Sequence, residues 1–458
     1  MNRVVNLILC NGIALIFQAA SAQQRAVSIK EALLLVQSQQ PQVAAYKERA
    51  DAARYDINLA RNTLMPQLDA GYQAGYATYN NITGMSYPGL IMPISGPPSL
   101  SNTYDPVPGT AVAALLKWNP LTFGQRQAAI DKAAAQYKLA ASQYDDALFR
   151  EQYAAINVYL EAVYLQKLLA VIQANMERTN AGLRQSLVLA GEGLRPGIDT
   201  AQFQSALAQA EMDRLNTQRQ YQSQLSELTR LTALAEMPDH ITLSDTMLTA
   251  QIPVQVKAGG TYTDNPLYRY YQAKKELSES ALKEVERAWR PRLDIWANAY
   301  SRGSGINADG TVHKADGWSL TRTNYGAGLQ LSFPVLQFSR VSIRKKQYRS
   351  LLKADDAQLS QVTLNLQKQS ETAQYNYRQN LLVAQQAPVQ TKATRYAYEG
   401  LLLSYQSGLT DYTRLTQGQY DLLKAEIAEA GAYLQVWRSM LEIAVVNGNL
   451  QIFTDQLK

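Results

Sequence analysis

The sequence predicts a mainly α-helical protein that also contributes four strands to a membrane β-barrel, built as two copies of a helix–strand–strand–helix unit. Three observations predict it. Paired prolines recur with their neighbours, the segments after them alternate apolar and polar residues, and long proline-free stretches carry a sustained apolar seam. The repeat comes first. Pro41 opens a helical stretch that ends at Pro66-Gln67-Leu68-Asp69, and Pro266 opens another that ends at Pro291-Arg292-Leu293-Asp294, an offset of 225 (266 − 41 and 291 − 66). A repeat of this size points to a scaffold built by internal symmetry.

The register persists beyond the prolines. Trp118 to Arg126 parallels Ser332 to Arg340 at an offset of 214 (340 − 126), so the first copy holds 11 extra residues (225 − 214), which fall in the loop Asn80 to Pro108. Gly193-Leu194 parallels Gly408-Leu409, and Ala210-Glu211 parallels Ala425-Glu426, at an offset of 215 (408 − 193 and 425 − 210).

In chain order, residues 1–22 read as an export signal: Arg3 gives a positive start, Val4 to Phe17 is mostly apolar, and Ala20-Ser21-Ala22 is a small-x-small cleavage site. The only cysteine, Cys10, lies inside it, and Leu9 is too large to precede a lipidated residue, so the mature chain is expected to lack a disulfide or thiolate metal site. No later run reaches about eighteen apolar residues, so no transmembrane helix is expected. The net charge of +6 suits anionic headgroups but is too mild to identify a partner.

The first repeat is set at 23–236. Ser28-Ile29-Lys30-Glu31 fits a capping box opening a helix that runs to Leu64 and stops at Pro66. Strands are expected at about 67–79 and 109–118, and in the second repeat at about 292–302 and 322–333. Leu68, Ala70, Tyr72, Ala74 and Tyr76 alternate with polar or small residues, as do Tyr325, Ala327, Leu329, Leu331 and Phe333. Ala111, Ala113 and Leu115 are taken as the apolar set of the second strand, which leaves Lys117 in the apolar register; Trp296 and Tyr300 interrupt the third. Period-two alternation over about ten residues is the pattern of a barrel strand with one face to lipid. Tyr72, Tyr76, Tyr79, Tyr300 and Tyr325 at strand ends suit the bilayer surface. A soluble antiparallel sheet is the alternative. Four strands cannot close a barrel and an open edge cannot face lipid, so several chains must share one barrel. Three chains give twelve strands, a number the sequence does not fix.

From Leu121 to Ala190 there is no proline, and a seam through Ile130, Ala134, Tyr137, Ala141, Tyr144 and Leu148 continues through Ala155, Val158 and Ala162 to Met176. Sustained heptads argue coiled-coil packing. The counterpart, Leu336 to Gln406, carries Pro388, expected to kink it. The segment 237–263, with Pro238, Pro253 and Gly259-Gly260, reads as a surface linker before the second repeat, 264–458.

No catalytic constellation stands out. His240 and His313 lie in a linker and a loop, and Asp145-Asp146 and Asp355-Asp356 are adjacent on helices, where neighbours do not face one another, so solvated helix faces are expected. No cofactor, metal site or nucleic-acid module is indicated. The basic run Arg340, Arg344, Lys345, Lys346, Arg349 and Lys353 starts just after a strand and suits either a solvated face or anionic headgroups. The turns Gly193 to Asp199 and Gly408 to Thr413 join antiparallel helices, with glycine able to end one helix and Asp199 or Asp411 to cap the next. Two equivalent tips suggest a docking surface.

The signal peptide, the two helix–strand–strand–helix repeats, the prolines at Pro66, Pro120, Pro291 and Pro334 and the paired Gly-Leu tips resemble the TolC-like outer-membrane factor family over about Ser28 to Leu450. The resemblance implies a homotrimer with a twelve-stranded β-barrel in the outer membrane of a Gram-negative bacterium, set among outer-membrane lipid and continued by a long periplasmic α-helical barrel. It implies a passive, porin-like exit channel of an efflux pump and not an enzyme, with a periplasmic adaptor (membrane fusion) protein docked at Gly193, Leu194, Arg195, Pro196, Gly408, Leu409, Thr410 and Asp411, and an inner-membrane transporter supplying energy. The cargo implied is small toxic compounds; a type I secretion channel is the alternative within the class, and a coiled-coil surface adhesin or scaffold the alternative outside it. In such proteins a tyrosine–aspartate link closes the tip, and Tyr405 and Asp199 stand at the matching positions. The acidic ring at the constriction falls on Arg414 and Gln417, so the gate is expected to use Asp199, Tyr405, Arg414 and Gln417 through hydrogen bonds and an Asp–Arg pair.

Overall fold

A computed structural model describes residues 25–78, 85–86, 93–94, 104–194, 196–253, 262–306 and 311–457. The export signal with Cys10, most of the loop 80–108, Arg195 and Gly259-Gly260 lie outside these residues. The chain divides into two compact units, one of Asp51–Leu139 and Ala273–Asp356, the other of Met1–Ala50, Ala140–Gln272 and Ala357–Lys458.

In the first unit, strands β2 (Gln67–Ala77), β5 (Val107–Leu121), β7 (Arg292–Ser304) and β8 (Arg322–Ser332) form one antiparallel sheet in the order β2-β5-β7-β8. The short pair β3 (Met85–Ser86) and β4 (Pro93–Ile94) lies in the loop after β2. Pro66 and Pro291 stand directly before β2 and β7, where a residue without an N–H ends the preceding helix. Residues opposite one another on neighbouring strands share a face. Leu68, Tyr72, Leu116, Ile295, Tyr325 and Leu329 therefore lie on one face, and Gln67, Asp69, Gln73, Lys117, Asn298 and Arg322 on the other. Most of the apolar face is uncovered, with Tyr325 90% exposed, Leu329 71% and Tyr72 69%; only its end at Thr110 is covered, where Thr110 Oγ1 donates to Gly317 O at 2.9 Å.

The register of β5 corrects the sequence reading. Ala111, Ala113 and Leu115, expected on the apolar face, pair with Gln73, Gly71 and Asp69 and share the polar one, while Val112, Ala114 and Leu116 are apolar-facing. The doublets Ala113-Ala114 and Leu115-Leu116 read as apolar in either phase. In the observed phase Lys117 sits opposite Gln67 and is no longer an anomaly. Trp296 does lie on the polar face, for a packing reason: its indole covers Gly328, where a Cβ would come within 2.8 Å of the ring.

Helix α5 (Pro266–Arg287) and the start of α6 (Phe338–Gln406) are tied together in this unit. Asp355 corrects the expected solvated face, while Asp356 is exposed as expected. Asp355 is buried, accepts from Ser278 Oγ and meets Lys274 at 3.2 Å; Asp356 meets Lys275 at 2.6 Å. Part of the basic run is also paired, Glu286 lying 2.8 Å from Lys345 and 3.8 Å from Arg349.

The second unit is helical. The expected single helix 28–64 is two, α1 (Ile29–Gln39) and α2 (Pro41–Asn62). Pro41 disfavours helical geometry at Gln40, which is extended there, and the Gln40 side chain donates instead to Leu231 O at 3.3 Å. Ser28 Oγ caps α1 by accepting from Glu31 N at 3.2 Å, but the Glu31 carboxylate turns to Arg25 at 2.8 Å, so only half of the capping box forms. Helix α3 (Gln125–Gly191) has 67 residues, and one window of it is apolar enough to cross a bilayer; half of that window is buried in the fold. Its buried set is broader than one seam, because Ile156, Tyr159, Leu160 and Val163 also pack into the core. Tyr159 donates to Val27 O at 2.8 Å, and burial pushes its phenol far up from the usual range. Asp145 is exposed, as expected, whereas Asp146 is half-buried beside Arg150 at 2.7 Å, and burial pushes its carboxyl up, opposed by Arg150.

Helix α4 (Gly197–Thr232), the end of α3, α6 and α7 (Tyr412–Val446) complete this unit with the four-residue α8 (Gln451–Thr454). The α6 helix runs through Pro388 as one 69-residue element. The linker is not merely a surface band. Its strand β6 (Ile241–Leu243) pairs in parallel with β1 (Arg25–Val27), and Ile241, Leu243 and Leu248 are core residues.

Candidate functional site

The helical turns of the second unit are built alike. Gly193 and Gly408 adopt φ +73 and +76, the left-handed conformation that glycine takes without a Cβ penalty. Leu194 N donates to Leu189 O at 2.9 Å and Leu409 N to Ser404 O at 2.8 Å; Gly193 N reaches Ala190 O and Gly408 N reaches Tyr405 O, both at 3.1 Å. Both helices thus end in the same Schellman closure. Leu194 and Leu409 project into solvent, 65% and 82% exposed.

The helices that leave these turns differ. Asp411 caps α7, accepting from Arg414 N at 2.9 Å. Asp199 does not cap α4, whose cap position is Pro196. It lies in the first turn, buried, and accepts from Tyr405 Oη at 3.2 Å. Around that bond Phe203, Tyr398, Tyr405, Leu415 and Leu422 form a separate apolar cluster. Phe203 meets Tyr412 edge-on at 4.6 Å and Tyr405 at 6.2 Å. Burial, reinforced by the charge of Asp199, pushes the Tyr412 phenol up; burial also raises Tyr398, with Arg178 opposing.

Gly182 lets Phe203 into this cluster, since a Cβ there would stand 2.4 Å from the ring. Gly182→Ala gains about 1 kcal/mol of helix propensity but overpacks by about 1–3 kcal/mol. The expected net outcome is a loosened turn, read as faster amide exchange over 196–205; unchanged or slower exchange would contradict the packing argument.

The four expected gate residues do not converge in the described residues. Tyr405 and Asp199 meet. Arg414 is exposed and makes no ion pair there, and Gln417 donates to Asp421 at 3.0 Å one turn on. Two polar groupings escaped the sequence reading. Gln419 Nε2 is buried against Asn175 Oδ1 at 3.0 Å and Thr179 Oγ1 at 2.6 Å. Glu426 is held by Arg178 through both oxygens, at 3.3 and 2.7 Å, and by Arg395 at 2.7 Å. A signal for the latter existed: Glu211 has Arg214 three residues on, whereas Glu426, its repeat partner, has Glu429 there and must find its cations elsewhere.

Residues 32–234 match the model of the outer membrane efflux protein family. Solved structures share the fold across nearly the whole chain. VceC of Vibrio cholerae has a TM-score of 0.73 at 13% identity, covering 92% of this chain and 96% of its own. CmeC, the outer membrane channel of Campylobacter jejuni, has 0.74 at 11%, covering 92% and 85%. The open state of the Neisseria gonorrhoeae MtrE outer membrane channel has 0.71 at 13%, covering 92% and 89%. No curated protein matches the sequence. The fold is that of the TolC-like outer-membrane channels. In sequence, the first repeat is similar to the outer membrane efflux protein family.

Proposed function

We propose that this chain is the passive outer-membrane exit duct of a tripartite efflux pump for small toxic compounds. Three copies close a twelve-stranded barrel, a periplasmic adaptor docks on the exposed Leu194 and Leu409 turns, and an inner-membrane transporter supplies the energy. The observation that carries the reading is the four-stranded sheet, with an exposed apolar face and two edge strands, β2 and β8, that have no outer strand partner among the described residues. Each large apolar side chain left in water forgoes about 1.5–3 kcal/mol, so lipid is the medium for that face. An open edge is intolerable in lipid, so further copies must pair with β2 and β8. This favours a membrane channel over an adhesin. Light scattering in detergent is expected to give three chains per particle, with conductance in planar bilayers; a monomer without conductance overturns the duct.

The gate belongs to the same proposal. The Tyr405–Asp199 bond holds α6 to α4 beside the turn, and Arg414 and Gln417 on the next helix set the constriction. Tyr405→Phe combined with Arg414→Ser is expected to raise single-channel conductance. An unchanged value removes these residues from the gate and leaves the duct standing.

A further inference from the structure

We propose that β8 of one chain pairs with β2 of the next in a fixed register, with Leu331 opposite Tyr72 and Gln330 opposite Gln73 of the neighbouring chain. The proposal rests on the duct reading and adds to it the register in which the chains join. The template for this junction lies within the chain. Its two hairpins are the same structure twice: β2 pairs with β5 from Gln67–Lys117 to Ala77–Val107, and β7 with β8 from Arg292–Ser332 to Arg302–Arg322. The repeat therefore relates β2 to β7 by 225 (292 − 67) and β5 to β8 by 215 (332 − 117). The offset of 214 between Arg126 and Arg340 is one less, because the β5 ladder shifts register between Trp118 and Leu121, where the first repeat holds an extra residue. The β5–β7 ladder joins the first repeat to the second; β8 meeting β2 of the next chain joins the second to the first. Moved by the same two offsets, Leu116–Ala297 becomes Leu331–Tyr72, Leu115–Asn298 becomes Gln330–Gln73 and Ala114–Ala299 becomes Leu329–Ala74.

The side chains fit this register. Leu329 and Leu331, 71% and 54% exposed in the single chain, meet Ala74 and Tyr72 on the apolar face, while Gly328, Gln330 and Ser332 meet Gly75, Gln73 and Gly71 on the polar one. Large faces small at Leu329–Ala74 and at Ala327–Tyr76, and no like charges are opposed. The two glutamine amides can bond across the junction. A slip of one residue sets Leu331 opposite Gly71 or Gln73 and turns the apolar set of an edge strand into the lumen. A slip of two keeps the faces but separates the glutamines. The register also sets the bore. A row that starts at Asp69 passes Leu115, Asn298 and Gly326 and arrives at Ala77 of the next chain, eight residues along β2 (77 − 69), or 24 around three chains (3 × 8). At about 3.3 Å per residue and about 4.8 Å between strands, that climb tilts twelve strands by about 54° and gives a backbone radius of about 16 Å. A slip of two that shortens the climb gives about 46° and about 13 Å.

The test is disulfide trapping in the full chain extracted from membranes in detergent, in a Cys10→Ser background that leaves no native thiol. Opposed residues stand about 4.5–5.5 Å apart at Cα, within disulfide reach, whereas residues offset by two stand about 7–8 Å apart and outside it. Gln330→Cys with Gln73→Cys, and Leu331→Cys with Tyr72→Cys, are expected to give covalent dimers and trimers on a non-reducing gel. Their yield is expected to exceed that of Gln330→Cys with Gly71→Cys, or with Gly75→Cys, by about fivefold or more. Adjacent pairs alternate between the closer and the wider Cα spacing, so linkage of either expected pair supports the register. If the lipid-facing pair does not insert, the glutamine pair alone decides. Stronger linkage through position 71 or 75, or no linkage by any pair in a particle that light scattering shows to be trimeric, overturns the register and leaves the duct standing. A single-chain particle without conductance overturns the duct and the register together.

Discussion

Trp437→Ala is expected to remove about 3–5 kcal/mol, the range for deleting a fully buried aromatic side chain. Trp437 is 1% exposed, stacks edge-on against Phe453 at 5.7 Å and donates its indole N–H to Gln251 O at 3.0 Å. It therefore fastens both α8 and the linker to α7. The loss has three parts: apolar area returned to water, a cavity among Leu160, Leu248 and Leu434, and a carbonyl deprived of its donor. The melting transition followed by helix circular dichroism is expected to fall by roughly 5 °C or more. Protease cleavage is expected to appear first at 450–457. Trp437→Phe keeps most of the packing and loses the hydrogen bond, so its cost is expected to be about 1–2 kcal/mol. Equal effects of the two substitutions would show that the packing is not what holds these segments.

This core also marks where sequence reading stops. Strands β2 and β8 were legible because Leu68, Tyr72, Tyr325 and Leu329 alternate with Gly, Gln and Asn, and a large apolar residue facing water has no cheap alternative. In β5 the phase was lost because its doublets fit both faces, and only cross-strand partners on β2 and β7 settle it. The helix ends were legible at Gly193 and Gly408, where a left-handed residue is a local requirement. Asp199 was matched to Tyr405 through family resemblance, and their bond is in place; its expected capping role fails because Pro196 takes the cap position. Asp355 read as solvated because its partners, Ser278 and Lys274, lie on another helix about 80 positions away in sequence, a contact no local pattern encodes. The same holds for Ile241 and Leu243, whose proline-bearing surroundings conceal a core strand.

Glu426→Leu is expected to destabilise the helical unit by about 3–5 kcal/mol, because it strands a partly desolvated cation rather than because it breaks a strong bond. The Glu426 side chain is 9% exposed and that of Arg178 18%, while Arg395 is 53% exposed. The two arginines are thus unequal: Arg178 loses its counter-charge in a place that water barely reaches, and Arg395 simply turns to solvent. Arg395→Ala alone is expected to cost less than about 1 kcal/mol. Pairing Glu426→Leu with Arg178→Met removes both the charge and its orphan, and such exchanges of a buried pair for apolar groups are often near neutral. The double variant should therefore melt close to the wild type, with the two single costs failing to add by about 2 kcal/mol or more. Glu211 supplies the internal control, since it occupies the equivalent position in the first repeat but pairs with Arg214 on its own helix at 2.8 Å. Hydrogen bonds from Arg214 hold its carboxyl below the usual range, yet the pair is open to solvent, so Glu211→Leu should leave the melting temperature unchanged. Equal losses at 211 and 426, or additive costs in the 178–426 cycle, would show that desolvation of Arg178 is not the cause. The repeat supplied the same glutamate twice, and only the copy without a cation three residues on became a bridge between helices.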